Sequence, residues 1–290
     1  LCKLFDIPMS MLPKVVDSSG DLAIAHPDVL GGAIPIRGIA GDQQAALYGH
    51  DAIEEGMLKN TYGTGCFMLM NTGEKILDPS SGILATVAWQ INGKITYAAE
   101  GSVFNAGSAM TWLEDVNLIE NVKETALSAE KSPHNPLLIF VPAFTGLGAP
   151  YWDSTARGLL IGLERNTSKE AIARAVLESI AYQNQDLLLA MKHASGLEPS
   201  ALYVDGGMTA NSFLMQFQSD LCQIAIHLPS NQEQTALGAA KLAAKPSNFF
   251  SENIERDSSL FSPSTLDYKE GYSQWKKAAQ RAMHWTSTQD

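Results

Sequence analysis

The chain predicts an α/β fold built on a mixed sheet, and three observations carry that prediction. Strand-like segments follow one another between residues 58 and 100, and helix-like and strand-like segments then alternate to residue 244. Two of the junctions are glycine turns placed directly after short strands. With 290 residues, 45% of them hydrophobic, the chain can bury a sizeable core in one large domain or two smaller ones.

Taken in order, residues 1–32 read as a short helical turn and a Gly/Pro-rich connector. An apolar strand over 34–40 leads into a helix over 42–55 that Gly56 can end. Segments 58–62, 67–71, 84–90 and 95–100, separated by turns at Gly73, Gly82 and Asn92-Gly93, read as an antiparallel meander. Helices over 104–116 and 119–129 come next, then a buried strand over 137–141. The irregular stretch 142–157, rich in Gly, Pro and aromatic residues, is long enough to be functional. Thr167-Ser168-Lys169-Glu170 has capping-box spacing before a helix with Ile172, Val176 and Ile180 on one face, and Gly196 can terminate it; a scaffold role is expected. A short strand at 202–204 runs into Asp205-Gly206-Gly207. An amphipathic segment at 211–222, a strand at 224–228 and a helix at 235–244 follow, and Trp275, Ala278, Ala279 and Met283 mark a closing helix over 268–285.

Composition excludes several classes of function. A formal charge of −11 without a Lys/Arg-rich run argues against a duplex nucleic acid partner. Three cysteines, Cys2, Cys66 and Cys222, show no CxxC spacing, so neither a disulfide framework nor a zinc site is indicated and a reducing cytoplasm fits. The six histidines lack HxH or HExxH spacing, and no metal ligands are assigned. No apolar run reaches the roughly 18 residues of a membrane span. The N-terminus lacks signal-peptide features, which leaves the Asn166-Thr167-Ser168 sequon idle. Because the chain opens on Leu1 in what reads as the middle of a segment, it is expected to be part of something longer and, isolated, to self-associate.

Chemistry concentrates at three places. Asp42, after a strand and at the first turn of a helix, can take a proton from a hydroxyl. The hairpin Tyr62-Gly63-Thr64-Gly65-Cys66 offers close backbone approach and a hydroxyl to a phosphate. Asp205-Gly206-Gly207-Met208-Thr209-Ala210-Asn211 lies between a strand and a helix N-terminus, where a nucleotide can stack. Alone, each also reads as an ordinary N-cap or tight turn; together they point to phosphoryl transfer from a nucleotide to a hydroxyl. Glu100 can orient an active-site group or serve as a structural strand-end acid. Trp152 and Asp153 are expected to anchor their loop rather than stack on a sugar, and Cys66 to fill space rather than react. No Walker sequence and no protein-kinase set occurs. The nucleotide fold that remains is that of hexokinase, actin and the heat-shock chaperones.

Four segments carry a family resemblance: Gly38-Ile39-Ala40-Gly41-Asp42-Gln43-Gln44; Asn60 through Glu74; Val141 through Asp153 with Ala156-Arg157-Gly158; and Val204-Asp205-Gly206-Gly207 with Asn211. They resemble the FGGY carbohydrate kinases, and the glycerol-phosphorylating members more than the xylulose, gluconate or fuculose kinases. The resemblance covers nearly the whole chain. It implies a ribonuclease H-like domain of the actin/hexokinase type with a mixed sheet, preceded by the tail end of a related domain. Residues 1–50 would be the end of that preceding domain and the hinge, 51–265 the C-terminal nucleotide-binding domain, and 266–290 a C-terminal helix.

The resemblance also assigns roles. Asp42 would be the general base, Gln43 a hydrogen-bond partner of the other hydroxyls, and Phe67 an apolar wall against the carbon chain. Thr64 and Gly107 would border the nucleotide phosphates, with Gly207 and Asn211 on the adenosine side. Thr111 stands where bacterial members usually carry a nucleotide-contacting glutamine. Ala33, in Gly31-Gly32-Ala33-Ile34-Pro35, stands where members inhibited by fructose 1,6-bisphosphate carry an arginine, so that feedback is expected to be weak or absent. The implied substrates are glycerol and ATP, yielding ADP, with Mg2+ held mainly by the nucleotide and the preceding domain, and the full-length form is expected to be a homo-oligomer. The family's Asp-x-Gly-Thr-Thr-Ser phosphate loop, and the Arg-Glu pair, Trp and Tyr that hold glycerol, are not found in these residues, so the chain is expected to be the C-terminal portion and nearly inactive alone. Another FGGY kinase, a non-catalytic actin-like nucleotide binder and a subunit-contact module stay open as alternatives.

Overall fold

The computed structural model describes residues 1–247 and 258–286. The N-terminal elements are β1 (Ser19–Ile24), α1 (Pro27–Leu30), β2 (Pro35–Gly38) and α2 (Asp42–Gly49). Next come β3 (Leu58–Tyr62), β4 (Cys66–Gly73), β5 (Leu84–Ile91), β6 (Lys94–Val103), α3 (Gly107–Asp115), α4 (Thr125–Lys131), β7 (Ile139–Val141) and β8 (Leu159–Ile161). The remainder is α5 (Lys169–Ser195), β9 (Ala201–Asp205), α6 (Ser212–Cys222), β10 (Ala225–Pro229), α7 (Gln234–Ala244), β11 (Ser258–Phe261) and α8 (Lys269–Ala282).

A seven-stranded mixed sheet in the order β11-β10-β9-β3-β4-β6-β5 organises these elements. β9 runs parallel to both β3 and β10, while the other pairs are antiparallel. The expected meander is corrected here, because β6 lies between β4 and β5. Burial explains that order. β6 carries the small residues Ala98, Ala99 and Gly101, which fit between packed layers, whereas β5 leaves Leu84 and Val87 exposed at the sheet edge. Asn92 and Gly93, both at positive φ, close the β5–β6 hairpin.

Period-two alternation gives the sheet two unlike faces. Leu58, Tyr62, Cys66, Met68 and Met70 point into the main core, which α5 and α6 cover. In α5 the Ser168 hydroxyl caps the helix by accepting from the Ala171 amide, and Gly196 at φ 75° ends it by donating to the Lys192 carbonyl. The cap is thus Ser168, one residue later than the sequence spacing implied; the Thr167 hydroxyl accepts from the Glu164 amide instead. On the other face, Leu69 joins a smaller core with Leu47, Ala88 and Trp89, covered by α2, on which α7 packs.

Several boundaries differ from expectation. α2 stops at Gly49 rather than near residue 55, since Asp51 turns left-handed (φ 53°) and drops Ala52 into the smaller core. Residues 19–24, read as connector, form β1 and pair with β2; an exposed strand with a register shift shows little alternation for sequence reasoning to find. The segment 119–129 divides into a 3-10 turn at Val122–Glu124 and α4, and β8 pairs with β7 as a separate two-stranded sheet. The closing helix α8 ends at Ala282. Part of the expected 51–265 unit (248–257) and of the 266–290 unit (287–290) lies outside the described residues.

Candidate active site

Because β3 and β9 are parallel neighbours, with Thr61 opposite Asp205, the glycine turns that follow them emerge side by side at one edge of the sheet. Gly206, at φ 95°, lies so close to the Tyr62 carbonyl that a Cβ there would overlap it. Gly107 is equally confined. A Cβ would come 2.7 Å from the Gly63 carbonyl and 3.3 Å from the Met208 sulfur, so hairpin, α3 and the β9–α6 turn meet around this glycine. The Gly107 amide donates to the Gly63 carbonyl (3.0 Å), and the Ala106 and Ser108 amides donate to the Thr64 carbonyl (2.9 and 3.2 Å). The start of α3 is therefore stitched to the hairpin. Thr64 is exposed at its tip, and around Gly207 there is open space for at least 4 Å.

Thr111 lies one turn along α3 and is exposed; its hydroxyl donates to the Gly107 carbonyl (3.3 Å). Asn211 caps α6, its side-chain oxygen accepting from the Leu214 amide (3.0 Å) while its amide donates to the Thr125 hydroxyl (3.0 Å). The structure thus gives Asn211 a local task that couples α6 to α4, one step further along the chain from the glycine cluster.

The second group is built on the sheet face beneath α2. Asp42 is the exposed first residue of that helix, and its Oδ1 accepts from the Gln43 amide (2.8 Å). Its other oxygen accepts from Gln43 Nε2 (3.3 Å). Phe67 sits opposite Thr61 on β4 with 39% of its surface exposed. Lys59, which motif reasoning passed over, ties these parts together. Its ammonium donates to Gln43 Oε1, to the Thr61 hydroxyl (2.9 Å) and to the Phe67 carbonyl (3.3 Å). The sequence carried little signal for it, since a lysine in phase with Thr61 on a strand whose other face is Leu58, Asn60 and Tyr62 reads as the solvent side of a half-buried strand.

Electrostatics follow from that burial. Loss of water pulls the Lys59 ammonium from an ordinary 10.5 down to about 8, even though Asp205, Glu100 and Asp42 act to raise it. Glu100, half-buried, is pushed up by desolvation, with Lys59 opposing. For Asp205 burial acts upward, but the His50 hydrogen bond (2.8 Å) and charge, the Thr61 hydroxyl and Lys59 together outweigh it and hold the carboxyl below its usual range. His50 is thereby a buried partner of the β9 turn. Cys66 is fully buried and its thiol is pushed up to about 12, which rules out thiolate chemistry at neutral pH. Asp153 anchors the long loop by accepting from the Thr155 amide (2.8 Å), the Thr155 hydroxyl (2.6 Å) and the His284 amide (2.7 Å). Trp152 donates to the Gly82 carbonyl (2.6 Å). No three His, Cys, Asp or Glu side chains converge as a metal site among the described residues, and no helix among them is long and apolar enough to cross a membrane.

The arrangement therefore offers an exposed carboxylate at a helix start, an oriented amide, an apolar ring and a pair of glycine turns at one sheet edge. The chain is 49% identical to glycerol kinase 2 of Thermotoga maritima over 98% of its length, covering 59% of that protein. It is 48% identical to the glycerol kinase of Francisella philomiragia, again over 98% of the chain and 59% of the relative. The chain thus spans about three-fifths of the length of these curated relatives. A crystal structure of Plasmodium falciparum glycerol kinase with ADP superposes with a TM-score of 0.87 at 37% identity, over 97% of this chain and 58% of that one. A xylulose kinase from Rhodospirillum rubrum shares the fold at a TM-score of 0.80 and 20% identity, covering 97% of this chain and 59% of that one. Residues 58–246 match the FGGY family of carbohydrate kinases, C-terminal domain, and the chain belongs to that family.

Proposed function

We propose that the chain is the C-terminal portion of an ATP-dependent glycerol kinase, transferring the γ-phosphoryl group to a terminal hydroxyl of glycerol to give glycerol 3-phosphate and ADP. In this reading residues 51–265 form the nucleotide-binding domain, 1–50 the hinge and the end of the preceding domain, and 266–290 the closing helix. The protein acts in the cytoplasm, as a homo-oligomer in its full-length form. The observation that carries the reading is the shared edge at which the β3 and β9 glycine turns meet, with Asp42 and Gln43 joined to the Phe67 strand through one lysine.

Asp42 takes the proton of the attacking hydroxyl as its oxygen bonds to phosphorus and the bond to the leaving ADP breaks. Gln43 holds a neighbouring hydroxyl, and Phe67 packs on the carbon chain. Thr64 and Gly107 line the phosphates, Gly207 leaves room for the nucleoside, and Thr111 and Asn211 border it. Mg2+ would arrive with the nucleotide. This chain's described side chains do not themselves converge into a metal cage.

A polyol panel on the complete kinase tests the substrate, with glycerol expected to give the highest kcat/KM. Asp42→Asn tests the base. It is expected to lower kcat by about 10^2 to 10^4 while ADP affinity stays unchanged, because only the proton acceptor is removed. A variant retaining a tenth or more of wild-type kcat would remove Asp42 from that role.

A further inference from the structure

Lys59 is the sole charged residue of β3 and has no solvent-exposed surface. An ammonium withdrawn from water persists where it satisfies several acceptors at once. Here its donors go to Gln43 Oε1 on α2, Thr61 Oγ1 on β3 and the Phe67 carbonyl on β4, so one nitrogen joins the three elements bordering the acceptor side of the cleft.

An ammonium can only donate. Gln43 is therefore obliged to turn its carbonyl oxygen toward Lys59 and its NH2 toward Asp42, where Nε2 meets Oδ2 at 3.3 Å. A glutamine amide flipped end for end has nearly the same shape but would aim an acceptor at that carboxylate. The lysine removes this alternative.

The geometry points to Lys59 as a positioning residue for the phosphoryl acceptor, locking the Gln43 amide so that its N–H groups face the Asp42 carboxylate and the polyol. This rests on the polyol-kinase reading above. The groups around the ammonium are Asp42 from α2, His50 at the end of α2 through its bond to Asp205, Asp205 from β9 and Glu100 from β6. Burial brings the lysine down to about 8 against the pull of the three carboxylates. Once deprotonated, its nitrogen can accept as well as donate, and the amide is no longer held one way round. Use of the polyol should then fail in mildly alkaline solution while use of ATP should not.

The test uses the complete kinase. Wild-type kcat/KM for glycerol is expected to fall above about pH 8. Lys59→Met should raise the KM for glycerol at least about tenfold with the KM for ATP within about twofold, and should abolish the alkaline limb. Gln43→Leu leaves the lysine in place yet should lose the same limb and show the same KM defect, and the double variant should be no worse than Gln43→Leu alone. Unchanged glycerol KM and pH profile in Lys59→Met would overturn the proposal. Should that variant not fold, an alkaline limb surviving in Gln43→Leu would overturn it equally. Wild-type turnover on the polyol panel comes first. Absence of any polyol turnover removes the kinase reading and this inference with it, whereas turnover with the lysine effects missing removes the inference alone.

Discussion

Holding Lys59 in a dry site carries a cost that can be measured separately from catalysis. Below about pH 8 the ammonium is charged in both folded and unfolded chains, and the folded state alone bears its desolvation. Above 10.5 the amine is neutral in both states. Between those values the unfolded chain binds a proton that the folded chain does not, so stability rises with pH. In Lys59→Met the term is absent, and the difference between wild type and variant isolates it from the tyrosines and other groups. Urea denaturation of the 290-residue chain should show wild type gaining about 2 kcal/mol on the variant between pH 7.5 and 9.5. A flat difference across that range would mean the lysine is not held in a dry site. Asp205 contributes in the opposite regime. Its carboxyl lies below the usual range, so the stability it lends is present above its unfolded pKa and lost as the pH falls through the folded value.

At the scale of elements, the position of Asp42 depends on a helix crossing that has no room for side chains. Gly49 of α2 and Gly238 of α7 face each other so closely that a Cβ on either would overlap the opposite backbone, at Gln234 O for one and Ala45 O for the other. Gly238→Ala must therefore push the helices apart, at a cost of about 3 kcal/mol in stability. Since α2 carries Asp42 and Gln43 at its start and Gly49 at its end, the same displacement moves the acid relative to β3. Thermal denaturation should show the loss, and kcat/KM for the polyol should fall with it; Gly31→Ala, at a position with nothing within 4 Å but φ 73°, should cost less stability and spare turnover.

This crossing also marks what the sequence could disclose. β3 was legible to the residue, because Leu58, Asn60 and Tyr62 alternate with Lys59 and Thr61 between clear turns. The turns at Gly63, Gly65 and Gly206-Gly207 were legible because glycine has few uses. The close approach of Gly49 and Gly238 was not, since it joins positions far apart in the chain whose requirement is the absence of a side chain. Neither was the order of β5 and β6, which is decided by burial on both faces rather than by periodicity. Lys59 was overlooked for a related reason: its partners come from α2 and β4, and only the paired strands bring them to one nitrogen.

Seen as a whole, the molecule presents, in the proposed reading, one face of a phosphoryl-transfer site on a well-filled scaffold. α8 is fastened to that scaffold by Asp186, which accepts from Tyr151 (2.7 Å), Tyr272 (2.5 Å) and Trp275 (2.6 Å). The glycine turns and the acceptor face lie together, but Asp42 and Phe67 open to solvent. Leu1, Leu4, Phe5, Met9 and Met11 leave apolar side chains exposed. Phosphoryl transfer draws most of its rate from fixed positioning and from charge stabilisation in a water-excluded site. In the proposed reading, a face lined from one side would give the nucleotide contacts but exclude no water and fix no attack angle. The 290 residues alone are therefore expected to bind ADP, seen as heat in calorimetry, and to phosphorylate glycerol at no measurable rate in a coupled assay. The two readouts separate binding from transfer. ADP heat that disappears in a Gly207 variant carrying a bulky side chain would locate the nucleotide at the open glycine, whereas turnover by the wild-type chain at the ordinary kinase rate of about 1 to 100 per second would mean that this one face suffices for catalysis.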